Sequence, residues 1–399
     1  MIEKTKVSIV KTACYEERKI VADVRKAVEL IGGMGQVVKP GYQVIVKPNF
    51  AAIPRERLSG AITRWEVTKA VCDLVKEAGG TPIIAESSAA GVDTEKVIEF
   101  TEYDKLREQG YRVVDLKKEP TCKISVESGL LLKELNTWEL VRDADAIISV
   151  PIMKTHDQTE VTLGMKNLKG LIADGQKKWF HTAGVQEGVV DINRTLKPVM
   201  VVVDGTIAQE GYGPLFGDPV EMGVIVASKN IVSGDAVAAM LMGYEPKEVG
   251  IIRIGSKLAG IGSMSLDDIE IVGNTIEETA RVFKRAFEVE IKGLPEFDLI
   301  LTKGACTGCR NTVISAIIDM KNDGIEHTLA GKTIIAGPID KLPDGVDPKN
   351  VVLIGKCTIN LKDQATHVMG CPPNNIFVER GISGVEDVKR RYATEGDVD

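Results

Sequence analysis

Aromatic side chains make up only 5% of this 399-residue chain, and histidine occurs four times. Surfaces that grip single-stranded nucleic acid interleave basic residues with aromatics, and no such stripe is present. With a net charge of −7, nucleic acid is not expected as a partner. No apolar run reaches the length of a membrane span. The opening Met1-Ile2-Glu3-Lys4-Thr5-Lys6 lacks the apolar core of a secretory signal. A membrane partner is therefore not expected, and the expected compartment is the reducing cytoplasm, where structural disulfides are disfavoured. Also missing are the Walker-type GxxxxGKS/T loop, a GxGxxG after the first strand, the HExxH helix and the GxSxG elbow. Their absence excludes the standard phosphate cradles, the zincin site and the serine-hydrolase site.

What is present is an alternation of two hydrophobic periods. Apolar β-branched runs at Val7–Val10, Gln43–Val46, Pro82–Ala85, Arg112–Val114, Ala146–Val150 and Val199–Val203 read as strands. Between the early runs lie stretches with apolar residues at helical spacing, such as Ile20, Val24, Ala27, Val28 and Ile31, or Val67, Ala70, Val71 and Leu74. Thr63 is expected to cap the second helix, with Glu66 as its reciprocal partner. A single helix is expected from Thr94 to Gln109. The pattern predicts an α/β fold: a mostly parallel sheet with helices on both faces. A length of 399 residues favours two domains. A break near Lys292-Gly293-Leu294-Pro295 divides the chain into a large α/β domain over 1–290 and a smaller α/β domain over 291–399. The residues from about Tyr392 are expected to fray.

The small domain carries four of the seven cysteines. Cys306 and Cys309 form a CxxC, Cys357 follows Gly355-Lys356, and Cys371 sits in Gly370-Cys371-Pro372-Pro373. Each lies where a strand-like run gives way to a loop. Strands that end on one sheet edge can bring distant thiols together, and four thiolates are a soft ligand set for iron–sulfur or zinc. A 4Fe–4S cluster on Cys306, Cys309, Cys357 and Cys371 is the first expectation. Structural zinc, a redox-active CxxC disulfide and unrelated buried thiols are the alternatives. Cys14, Cys72 and Cys122 read as small buried side chains.

In the large domain, several strands run into polar clusters. These are Lys47-Pro48-Asn49, Glu86-Ser87-Ser88, Lys154-Thr155-His156 and Asp204-Gly205, together with Lys166-Asn167-Leu168-Lys169-Gly170. Ligands of parallel α/β sheets bind beyond the carboxyl ends of strands. Lys47, Asn49, Arg64, Lys166, Asn167, Lys169 and Asp204 are therefore candidate binding residues. Lys154 and His156 are candidates for charge clamping or acid/base work. A cationic cleft in an acidic protein suits a small anionic ligand: a carboxylate, a phosphate or a nucleotide tail. Glu86 could balance the lysines, and His181 could join the cleft or simply pack there. Solvated lysines and a structural histidine are the plain alternatives.

These motifs resemble the domain-of-unknown-function family 362 over roughly residues 40–260. The resemblance is carried by Lys47-Pro48-Asn49, the stretch from Val150 through His156 to Gly170, Val203-Asp204-Gly205, Gly213-Pro214 and Val232-Ser233-Gly234-Asp235-Ala236. It implies an iron–sulfur protein. The tight CxxCxxCxxxC run common in that family is absent, and the dispersed cysteines stand in its place. A weaker similarity, through Ile62-Thr63-Arg64 and the helix and strand that follow, is to the lactate-racemase-like family with a nickel-pincer nucleotide. The paired-histidine motif of that family is absent. The reading is a redox-linked enzyme with an electron-transfer partner, and a homo-oligomer is possible. The alternatives are a zinc-stapled acid/base enzyme and a non-enzymatic electron or cluster carrier.

Overall fold

The computed structural model describes residues 4–286 and 291–385. The expected domain boundary at 290 and the tail from Tyr392 fall outside the described residues. The strands, in chain order, are β1 (Thr5–Lys11), β2 (Gln43–Lys47), β3 (Thr81–Glu86), β4 (Arg112–Asp115), β5 (Thr121–Ser125), β6 (Glu134–Trp138), β7 (Ala146–Ser149) and β8 (Ile152–His156). They continue with β9 (Glu160–Thr162), β10 (Met200–Glu210), β11 (Asp218–Ser228), β12 (Ile269–Gly273), β13 (Asp298–Leu301), β14 (Thr333–Ala336), β15 (Val351–Ile354) and β16 (Thr366–Val368).

Among the described residues, ten strands form the large sheet, in the order β12-β1-β11-β10-β7-β2-β3-β4, with β8 added beside β10 and β9 beside β8. The run from β10 through β7, β2 and β3 to β4 is parallel. β11 is antiparallel to both of its neighbours. Successive side chains of a strand point to opposite faces, so each strand feeds two cores. Val201 and Val203 enter one apolar cluster, and Met200 and Val202 enter the other. The helix Glu17–Leu30 closes the second cluster with Ile20, Val24, Ala27 and Val28. The helix Ile231–Leu241 closes the first with Val232, Ala236 and Val237. Helices on both faces of a mostly parallel sheet follow directly from this two-sided burial. The C-terminal unit repeats the plan with β13-β14-β15-β16, all parallel.

Two local expectations are corrected. Thr63 does not cap the second helix, which begins at Trp65 after Arg64 with no side-chain cap. The Thr63 hydroxyl instead accepts from the Asn49 N–H and donates to the Val150 carbonyl, while Glu66 pairs with Arg64. Long-range partners thus displaced the local capping box. The stretch 94–109 is two helices, Thr94–Phe100 and Asp104–Glu108. Glu102 between them takes a left-handed φ of 64°.

Candidate functional site

The carboxyl ends of β2, β3 and β8 open on a cavity of about 590 Å³. Lys47, Asn49, Glu86, Lys154, His156, Lys166, Asn167, Lys169, Lys177 and His181 face it from the large unit, and the segment Asn374–Phe377 with Glu379 and Arg380 faces it from the small one. Arg64 and Asp204 are not among the lining residues. Asp204 accepts the Arg64 backbone N–H at 2.9 Å and the Thr206 hydroxyl at 2.7 Å. The Arg64 guanidinium pairs with Glu66 and reaches the Cys14 carbonyl.

The floor of the cavity is a closed polar network. Lys47, 1% exposed, forms an ion pair with Glu86, 2% exposed. Lys47 also donates to Asn167 Oδ1 at 2.7 Å. Asn167 returns its amide to the Lys47 carbonyl at 2.9 Å and to Ser149 Oγ at 3.1 Å, and Asn49 donates to Asn167 Oδ1 at 3.1 Å. Lys154 is wholly buried and donates to Asn49 Oδ1 (3.0 Å), the Ala61 carbonyl (2.6 Å) and the Pro214 carbonyl (3.1 Å). Burial pushes its pKa well below the ordinary lysine value, and the Lys166 and Lys47 charges add to the shift. Three neutral acceptors match the three donors of an ammonium, so the Lys154 side chain is held in place under the cavity.

The wall differs from the floor. Lys166 Nζ lies 3.2 Å from His156 Nε2, and Lys169 Nζ lies 3.2 Å from His181 Nε2. Among the described residues neither lysine forms an ion pair. Burial lowers Lys166 to about 8, with Asp157 opposing the shift. Burial holds Lys169 well below the ordinary lysine range, aided by the Lys166 and Lys177 charges. His156 is lowered to about 4, chiefly by burial and then by Lys166. Its Nδ1 lies 2.9 Å from Asp157 Oδ1 and accepts the Gln158 backbone N–H at 3.0 Å, and its Nε2 faces Lys166. His181 is likewise held neutral by burial and the Lys169 charge. Its Nδ1 has no hydrogen-bond partner among the described residues.

Local sequence places these groups. The helix Gly164–Asn167 runs into the 3-10 turn Leu168–Leu171, and this short continuous segment carries Lys166, Asn167 and Lys169. Both oxygens of the buried Asp235 accept from its start, from Gly164 N at 2.7 Å and Met165 N at 2.8 Å. Gly170 lies so close to the floor that a Cβ there would stand 1.7 Å from Glu86 Oε1.

The sequence profile described as "Domain of unknown function (DUF362)" matches residues 44–240, which include every one of these cavity groups from the large unit. A thylakoid-associated protein (sll1697) of Synechocystis sp. is 33% identical over 261 residues, 63% of this chain and 79% of that protein. The chain belongs to the DUF362 family. The solved lactate racemase apoprotein of Thermoanaerobacterium thermosaccharolyticum is similar over 97% of this chain and 91% of that one, at 11% identity and a TM-score of 0.42. Among the described residues of this DUF362 protein, no helix is long and apolar enough to cross a membrane.

Sequence reasoning missed three contributors to the DUF362 cavity. Lys177 lies on the unforeseen helix Asp174–Ala183 and donates to Ser87 Oγ (2.7 Å), the Ser88 carbonyl (2.8 Å) and Asp174 (2.9 Å). Gln176, Lys177 and Phe180 are buried on that helix, a helical spacing that could have revealed it. Asp157 was overlooked beside His156. The small-unit helix Asn375–Ser383 left no sequence sign that it would face the cleft.

β13, β15 and β16 are parallel, so the segments after them leave one sheet edge, and these carry Cys306, Cys357 and Cys371. Cys306 precedes the helix Thr307–Asn322. Its thiol is lowered to about 6, first by a hydrogen bond from the Cys309 thiol, with support from the backbone N–H groups of Cys309 and Gly308. Cys357 and Cys371 are raised by burial, and the Cys306 charge raises both further. Gly355 gives Cys309 room, since a Cβ there would stand 2.9 Å from its sulfur. The donor chemistry fits a thiolate-bound centre. Among the described residues, however, no group of three or more His, Cys, Asp or Glu side chains is arranged to hold a metal ion.

Proposed function

We propose that the protein is a cytoplasmic enzyme that binds a small anionic substrate or cofactor in this cavity and carries a redox-linked 4Fe–4S cluster on Cys306, Cys309, Cys357 and Cys371. One observation carries the anion reading. Lys166 and Lys169 present two ammonium groups on one wall, each bonded to an imidazole nitrogen and neither in an ion pair among the described residues. An anion entering there supplies the missing counter-charge where water is sparse and attraction is strong. The turn of Lys166 toward that anion frees His156 Nε2. His156, held neutral by burial, then faces the bound molecule through this nitrogen and can exchange a proton with it.

The cluster reading is supported by donor chemistry: soft sulfurs, a thiolate-favouring helix start at Cys306, and glycines that let the backbone come close. When bound, the cluster supplies electron transfer, and an electron-transfer protein is the corresponding partner. The Cys371 N–H donates to the His181 carbonyl at 3.1 Å, so this centre and the anion cavity share a backbone contact.

Calorimetry on anaerobically purified protein tests the first part. Sulfate and inorganic phosphate are expected to bind, and Lys166→Met is expected to weaken both by about tenfold or more, as the loss of a charged hydrogen bond of about 1.5–3 kcal/mol implies. Failure of both anions to bind at roughly 10 mM overturns the reading. Iron and acid-labile sulfide in equal amounts test the second part, and zinc in their place overturns it.

A further inference from the structure

The charged groups leave part of the cavity unexplained. At about 30 Å³ for each water-sized group, 590 Å³ holds on the order of twenty such groups. That is several times a bare phosphate or acetate, and it falls in the range of drug-sized ligands. Lys47 and Lys154 are 1% and 0% exposed, while Lys166 and Lys169 are partly exposed. The lining also carries two large exposed rings, Trp179 at 46% and Phe377 at 48%.

Neither ring is buried in the core. Phe180 takes the buried face of the helix that carries Trp179, and Val378 and Ile382 take the buried face of the helix that carries Phe377. Among the described residues four aromatic side chains are exposed, Tyr15, Phe100, Trp179 and Phe377, and two of the four border this cavity. Ile376, Ala89 and Ala90 add apolar lining beside them. The two rings come from different units of the chain and both border the cavity.

We infer that the ligand is bipartite: an anionic head group held by Lys166 and Lys169, and a planar aromatic body lying against Trp179 and Phe377. This rests on the anion reading above and adds the ligand class, an aromatic anion in place of a small aliphatic acid. Aromatic faces attract one another beyond the simple burial of area, and a flat body loses little freedom on binding.

The test compares inorganic phosphate, phenyl phosphate and cyclohexyl phosphate by calorimetry on the full-length protein, alongside tryptophan emission. Trp65 and Trp138 are buried, at 7% and 2% exposed, so a change in emission reports mainly on Trp179. Phenyl phosphate is expected to bind about tenfold or more tighter than inorganic phosphate, to exceed cyclohexyl phosphate, and to shift or quench the emission. In Phe377→Ala and Trp179→Ala the gain from the ring is expected to shrink toward none. Both side chains are half exposed, and the Trp179 ring lies 6.1 Å from that of the buried Phe180, so the urea midpoints of both variants are compared with that of the parent. Phosphate binding without any gain from the ring, or with an equal gain from the saturated ring, overturns this inference and leaves the anion reading standing. Failure of all three to bind overturns both.

Discussion

Removing the Lys47 ammonium should unsettle the protein more than its position in a ligand cavity suggests. Lys47 and Glu86 are 1% and 2% exposed and ion-paired. Glu86 also accepts backbone N–H groups from Phe50 at 3.1 Å and Ser87 at 2.8 Å. In Lys47→Met the aliphatic stem is kept and the charge is lost, so Glu86 becomes an uncompensated buried carboxylate. Breaking a buried pair in this way costs about 3–5 kcal/mol. At about 2–4 °C per kcal/mol for a domain of this size, the thermal midpoint falls by roughly 10 °C. Glu86→Gln strands the ammonium and should cost a similar amount. The double variant Lys47→Met/Glu86→Gln buries no charge. It should recover at least about 2 kcal/mol relative to the sum of the single changes, because replacing both partners of a buried pair is often near neutral. Urea denaturation of the four proteins closes the cycle. Single variants that lose less than about 1 kcal/mol, or a double variant as unstable as the sum, would refute the argument that this pair is a mutually dependent buried unit.

Sulfate, a dianion across the whole range, should bind well at pH 6.5 and weaken as the pH rises through about 8, where Lys166 sheds its proton. Because a bound anion favours the charged lysine, the observed midpoint should lie at or above that value, and calorimetry showing flat affinity to pH 9.5 contradicts the role given to Lys166. Gly170→Ala places a Cβ 1.7 Å from Glu86 Oε1 and 2.8 Å from Lys47 Cε, so it should destabilise by about 1–3 kcal/mol through overpacking, and an unchanged urea midpoint argues against that close approach. Asp235→Ala leaves the Gly164 and Met165 N–H groups without their carboxylate, at about 1–3 kcal/mol for each buried unpaired group. It should also weaken sulfate binding by loosening the segment that carries Lys166 and Lys169. Asp235→Asn, which keeps one acceptor, should sit between Asp235→Ala and the parent on both measurements.

The period of the apolar residues by itself determined the alternation of strands and helices. Ile20, Val24, Ala27 and Val28 can share a face only on a helix, and the Val199–Val203 run suits a strand buried on both sides. The polar segments after Lys47, Glu86 and His156 were also legible as strand ends, since in a parallel sheet those ends gather at one edge. The tertiary structure decided which of these polar groups meet. Arg64 and Lys47 look alike in the sequence, yet Arg64 is drawn to Glu66 and the Cys14 carbonyl, while Lys47 enters the floor of the cavity. Only the tertiary structure could pair Lys166 with His156 and Lys169 with His181, or bring Phe377 from the second unit to the same cavity. Backbone periodicity is a local property carried by neighbouring side chains. The partner of a buried charge is set by whichever distant group can satisfy it once water has been excluded.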